Sequence, residues 1–174
     1  MGSFRLGLLR VALYAAALVV ATLIESTWTA RLALLGGRPD LVLVLVVALA
    51  LHRGPELGAA VGLAGGLLQD LVGGQSLGLM AGPKLVVGFL LGLMTRTLYV
   101  ENVLTPVALL AAATFANGFL ELGLGALTGY APPPWEDAAP TVAVAACYNG
   151  VVAPLVFAWV RRAERWFQRA AGTG

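Results

Sequence analysis

Charge is the scarcest thing in this sequence. Asp, Glu, Lys and Arg together make up 11% of its 174 residues, while 59% are hydrophobic. A soluble domain carries about 25% charged residues, so a water-facing surface cannot be coated from this stock. Mean hydropathy is +0.87, and the apolar majority must face lipid or itself. At about 20 apolar residues per spanning helix, the chain holds about five or six spans and no soluble domain. Cysteine occurs once, at Cys147 in an apolar stretch, which excludes an internal disulfide and argues against a cysteine-based metal site. Histidine also occurs once, and His52 flanks a helix end with no second histidine near it. It reads as a solvated turn residue. There is no Ser/His/Asp set, no metal-ligand cluster and no phosphate loop: Gly62, Gly65 and Gly66 lie in an apolar run without a βαβ context. The chain is therefore expected to be no enzyme and to need no cofactor. The net charge of +2 does not point to nucleic acid, because the basic residues sit at segment ends and the C-terminus, where they orient a membrane protein.

What is present falls into helical segments. Arg5 and Arg10 precede the apolar run 11–24 as in a signal peptide, but no small-x-small cleavage site follows and the chain never turns polar. The run is expected to be an uncleaved first span, within a helix over about 6–35 that Gly36-Gly37 stops. A second helix over 39–52 opens at Pro39-Asp40, with proline at its first position and an acid in its first turn. Its length is about 20 Å against a hydrocarbon core of about 30 Å, so it fits a short span, a re-entrant segment, or a span lengthened by its flanks. Further helices are expected over 55–72, 77–98 (with Ser76 as N-cap), 103–127 and 140–162. The proline-rich stretch 129–137 is the one real loop, and the basic tail 163–174 is cytoplasmic, suited to lie along the inner surface as an amphipathic extension.

Charge placement tests the count. With six spans and the N-terminus inside, the inner side carries Arg5, Arg10, Arg53, Arg96, Arg161, Arg162, Arg165 and Arg169, and the outer side only Arg31 and Arg38 beside Asp40, Asp70, Glu136 and Asp137. That obeys the positive-inside rule. Without a crossing by the second helix, Arg96 would lie outside. Trp28, Tyr130 and Trp135 then form an outer aromatic belt, and Tyr99, Trp159 and Trp166 an inner one. The expectation is an all-α integral membrane protein: a six-transmembrane-helix bundle with both termini cytoplasmic.

Two further patterns need explaining. Most of the 22 glycines lie within spans. Gly58/Gly62/Gly66, Gly78/Gly82 and Gly88/Gly92 repeat at four residues, which stacks small residues on one helix face and lets backbones approach closely. Ala12/Ala16 and Ala17/Ala21 are a weaker version in the first helix. These faces serve internal packing or the docking of another protein's helix, and the terminal first helix is the better docking candidate. Charges inside a span are costly and face the bundle interior or a partner. Glu25, Asp70, Lys84 and Glu121 all converge on the outer half, with Asn117 one turn below Glu121. Lys84, the sole lysine, has three acids at its depth. They form either a structural ion-pair network or an outer polar cavity for a ligand, lipid head group or partner, which Tyr148 and Asn149 could extend.

Arg38-Pro39-Asp40 followed by LVLVLVVALALHRGPELGAAVGLAGGLLQDLVGGQSLGLMA resembles the MreD family of bacterial rod-shape-determining membrane proteins. The pattern is an Arg-Pro-Asp opening, an aliphatic second helix, an Arg-Gly turn, and a glycine-rich third helix ending Gly-Leu-Leu-x-Asp at Asp70. The likeness covers about 38–92; elsewhere it is one of size, topology and basic C-terminus. Lys84 is not part of the pattern. The resemblance implies a non-enzymatic scaffold of the cell-wall elongation machinery in the bacterial inner membrane, controlling rod shape. Its partners would be MreC, the glycosyltransferase RodA, a class B penicillin-binding protein and MreB filaments, with membrane lipid around it. The bundle is also similar to the S components of energy-coupling-factor vitamin transporters, so an S-component-like fold is expected. A solute-binding transporter subunit and a lipid-binding membrane protein are the alternatives.

Overall fold

The structure, a computed structural model, describes residues 2–32, 37–74, 76–94, 104–129 and 133–172. It is all-helical over them, with α1 Gly2–Leu32, α2 Leu41–Arg53, α3 Pro55–Gly73, α4 Ala81–Met94, α5 Leu104–Leu127 and α6 Trp135–Gly172. Among the described residues, Phe4–Thr27, Thr105–Leu127 and Trp135–Gly172 are long and apolar enough to cross a membrane, and α2 and α4 are shorter apolar helices. Gly36, Arg96, Tyr99 and Tyr130, used above to set helix ends and sidedness, lie outside the described residues, as do the side chains of Trp28 and Arg31.

The second helix resolves the puzzle of its own length. α2 touches all five other helices, and each residue from Val42 to Ala50 is buried. A helix that is apolar all round belongs inside a protein, and one shielded from lipid by its neighbours need not match the bilayer. α1 covers one side of it with a stripe at helical spacing, Tyr14, Leu18, Ala21 and Glu25, while Leu8, Val11, Val20 and Leu23 face outward. α2 ends at Gly54, whose φ of 93° few side chains adopt, and Pro55 starts α3 at once.

α3 and α4 run antiparallel with their backbones in contact. A Cβ on Gly58 would strike the main chain of Gly88, one on Gly62 the carbonyl of Lys84, one on Gly66 the main chain of Ala81, and one on Gly92 that of Pro55. Hydrophobicity does not hold helices together in lipid, so such close seams do. The remaining spaced pair, Gly78 and Gly82, behaves differently. Gly78 is not helical: α4 begins at Ala81 rather than 77, and Gly78 sits in the preceding turn with a φ of 101°. Gly82 is helical but meets only the end of Leu124 at 3.4 Å, ordinary contact.

α6 departs most from expectation. It starts at Trp135, not 140, and so absorbs the end of the supposed loop. The Pro134 carbonyl accepts from the N–H groups of Asp137 and Ala138 at 3.0 and 3.1 Å, and the Trp135 ring meets Phe119 of α5 edge-on with centroids 6.0 Å apart. Pro140, near the helix start, removes only one early hydrogen bond. At its other end α6 continues unbroken through 163–172. There it turns one face to the bundle, with Glu164 and Phe167 buried. Glu164 accepts from the Tyr14 hydroxyl and lies 3.6 Å from Arg53 and 3.9 Å from Arg10, whose guanidinium stacks over Phe167 at 4.7 Å. The last two turns are a clasp on α1 and α2.

Candidate functional site

The start of α2 is buried in the bundle, and a buried helix start leaves N–H groups that need acceptors. Asp40 caps Leu43 N–H at 2.8 Å, Glu25 of α1 takes Val42 N–H at 2.9 Å, and Asn149 of α6 takes the N–H of Asp40 itself at 2.8 Å. The helix dipole favours both carboxylates there. Gln69 of α3 donates to Glu25 at 2.6 Å and to Asp40 at 3.3 Å. Asn149 also donates to Thr114 of α5 at 3.1 Å.

Lys84 enters this cluster from α4. The seam that seats its carbonyl against Gly62 leaves its side chain inside the bundle, with no exposed surface. Its Nζ lies 2.9 Å from Asp40 and 3.4 Å from Glu121, and Asn117 donates to the same Glu121 oxygen at 2.7 Å. A buried ammonium is tolerable only with such partners.

All six helices thus meet at one polar knot. The structure brings Glu25, Lys84, Asn117 and Glu121 together as side chains of one network, and adds Asp40, Gln69, Thr114 and Asn149. Asp70 does not join it. Fully buried, it accepts from the N–H groups of Gly78 at 2.8 Å, Met80 at 2.9 Å and Ala81 at 3.4 Å. Its role is to fasten the turn into α4. Sequence depth alone cannot see this, because a carboxylate at a helix end can serve a neighbouring turn as easily as a lysine. The partner missed as a charge was Asp40, and the signal was available: an acid directly before an apolar helix is an N-cap, placed where a buried cation can reach it.

A cavity of about 280 Å³ borders the knot, walled by Glu25, Asp40, Gln69, Asn117 and Glu121 with Arg38 at the exposed rim. Arg38, Pro39 and Asp40 all line it. A second hollow of about 260 Å³, between α5 and the start of α6, shares Glu121 and Met80. On the other side of the bundle an apolar groove of about 530 Å³ runs between α1, α2 and α6, floored by Leu41 and Leu45 and flanked by Ala16, Ala17 and Ala21. Ala12 is exposed but does not line it. His52 bonds the Ala48 carbonyl one turn back at 2.8 Å. Among the described residues no group of three His, Cys, Asp or Glu side chains is placed to hold a metal ion.

The sequence model of the family described as rod shape-determining protein MreD matches residues 8–163. The chain belongs to the MreD family. That match takes in α2 to α5 whole and most of α1 and α6, so the resemblance first visible over 38–92 extends through the polar knot, the glycine seam and the apolar groove. Membership makes it a membrane protein with a part in determining rod shape. No curated protein and no solved structure matches the chain. Lys84, outside the recognised motif, is bonded to Asp40, inside it.

Proposed function

We propose that the chain is a non-enzymatic scaffold of the cell-wall elongation machinery, spanning the bacterial inner membrane six times with both termini in the cytoplasm. It holds the single membrane helix of MreC and through it RodA and a class B penicillin-binding protein, while its basic inner turns face MreB or anionic lipid. The arginine bias supports the topology, and the burial of α2 removes the objection that a helix of 13 residues is too short.

The groove between α1, α2 and α6 carries this reading. It is long, almost wholly apolar, and bordered on α1 by alanines at four-residue spacing. Small residues let a second helix approach closely in lipid, where shape and van der Waals contact decide association. A lone apolar helix is the occupant that such a trough fits. In the test, Ala16→Leu fills the groove and Ala12→Leu, off the groove, is its control. MreC co-purifying with Ala12→Leu but lost with Ala16→Leu, both chains folded, supports the assignment. Full recovery with both sinks it.

A further inference from the structure

α6 presents one continuous strip to its surroundings. Val151 and Leu155 are 76% and 75% exposed, and Trp159, one turn on, is 40% exposed. Arg162 and the exposed Trp166 follow at the spacing that keeps them on the same helix face. Arg161, Arg165 and Arg169, all exposed, run beside it at four-residue intervals. They lie on the edge away from the apolar groove, which Leu155 and Trp159 border. Along one face, the aliphatic side chains of a span thus give way to arginines set among two indoles. The end of α6 cannot roll to bury this face, because Glu164 and Phe167 hold the opposite one against α1 and α2.

Arg161, Arg162 and Arg165 take part in none of the ion pairs among the described residues. Glu164 is the sole acidic side chain after Asp137, and it is turned inward to Tyr14, Arg10 and Arg53. Three arginines are left open to an outside anion, and their depth selects which. Tryptophan settles at the level of lipid head groups, and Trp159 and Trp166 bracket the three. From Arg161 to Arg165 the helix rises about 6 Å, which matches the head-group layer of about 5–7 Å on each side of the hydrocarbon core. A phospholipid has a chain for Val151 and Leu155 and a phosphate for the arginines, and guanidinium binds phosphate through two parallel hydrogen bonds. An acidic protein offers only the second of these.

We propose that this strip of α6 seats one anionic phospholipid, with an acyl chain along Val151 and Leu155 and the phosphate on Arg161, Arg162 and Arg165. The site rests on the proposed topology only in that α6 crosses the bilayer, and it needs no MreC, so the test uses the full chain alone in nanodiscs. Brominated acyl chains quench a tryptophan that they touch, and the part of the fluorescence absent from Trp159→Phe reports the strip. Discs of phosphatidylcholine with a minor share of phosphatidylglycerol are compared, the bromine carried by one lipid or by the other. Per brominated molecule, phosphatidylglycerol should quench Trp159 about fivefold more strongly, the factor that one basic side chain gives at an anionic surface. Arg161→Gln, Arg162→Gln and Arg165→Gln together should abolish the preference, as should high salt in the parent chain. Arg5→Gln, at an exposed arginine off the strip, should leave it unchanged. Equal quenching by both lipids, a preference that survives the triple variant, or an equal fall in Arg5→Gln overturns the proposal while leaving α6 in the bilayer. Absence of quenching by either lipid overturns it together with the crossing by α6. Equal quenching with soluble polyglutamate bound by the parent and not by the triple variant also overturns it, giving the arginines to an acidic protein. Should the triple variant fail to fold, the salt series on the parent decides: a preference that salt does not weaken overturns the site.

Discussion

Lys84 Nζ lies 2.9 Å from Asp40 Oδ2, tying the first turn of one apolar helix to the residue that caps another. Glu121 completes the arrangement at 3.4 Å. Removing one partner of a buried pair leaves the other charge uncompensated, which costs about 3–5 kcal/mol. Lys84→Met should therefore lower the thermal midpoint in detergent sharply. Adding Glu121→Gln should return part of the loss, because it neutralises one of the stranded acids. Losses that simply add in the double variant would show that the two side chains do not act as a pair.

The glycine seam gives a graded prediction. Gly62→Ala places a methyl on the Lys84 carbonyl, and backbone cannot swing aside as a side chain can. It should cost about 2 kcal/mol or more, as overpacking does. Gly82→Ala meets only the flexible end of Leu124 and replaces a poor helix former with the best one. It should be neutral or stabilising by up to about 1 kcal/mol. Equal effects at both positions, read from paired thermal melts, would refute the seam.

That contrast shows what spacing can and cannot reveal. Glycines four apart mark a face, and the Gly58 to Gly92 seam was legible to that extent. Whether a given glycine lies in the helix at all depends on where the helix begins. Gly78 falls outside because Asp70 binds the turn around it, a contact between side chain and backbone with no periodic signature. The all-helical character followed from composition, and the polar knot was half legible, since charges in apolar runs must find each other. Asp40 was read as a helix start rather than as the nearest counter-ion. The continuation of α6 was legible in part: the basic tail was read as an amphipathic extension along the inner surface, whereas the face carrying Glu164 and Phe167 turns onto the bundle.

Asp70 offers a sharper test of the same turn. Its two oxygens accept three N–H groups in a site without exposed surface. Asp70→Ala strands those donors and should cost about 2 kcal/mol, while Asp70→Asn keeps one acceptor oxygen and should cost less. Hydrogen exchange at 78–81 should rise in both, most in the alanine variant. An exchange pattern unchanged from the parent would mean that the turn holds without the carboxylate.

The clasp at the end of α6 can be removed without touching the spans. Phe167 is 1% exposed with Arg10 stacked on it, and Glu164 gathers Tyr14, Arg10 and Arg53. Truncating a buried phenylalanine costs about 3 kcal/mol or more, so Phe167→Ala should destabilise the chain about as much as deleting 164–174. Glu164→Gln removes the charge that Arg10 and Arg53 share but keeps an acceptor for the Tyr14 hydroxyl, and should cost less. Because α1 leans on the bundle through Tyr14, Leu18 and Ala21, loosening should concentrate in its first half. Hydrogen exchange over 8–18 should accelerate in Phe167→Ala while exchange over Leu41–Arg53 stays slow. Equal acceleration in both would make the clasp a part of the global core rather than a separable latch on α1.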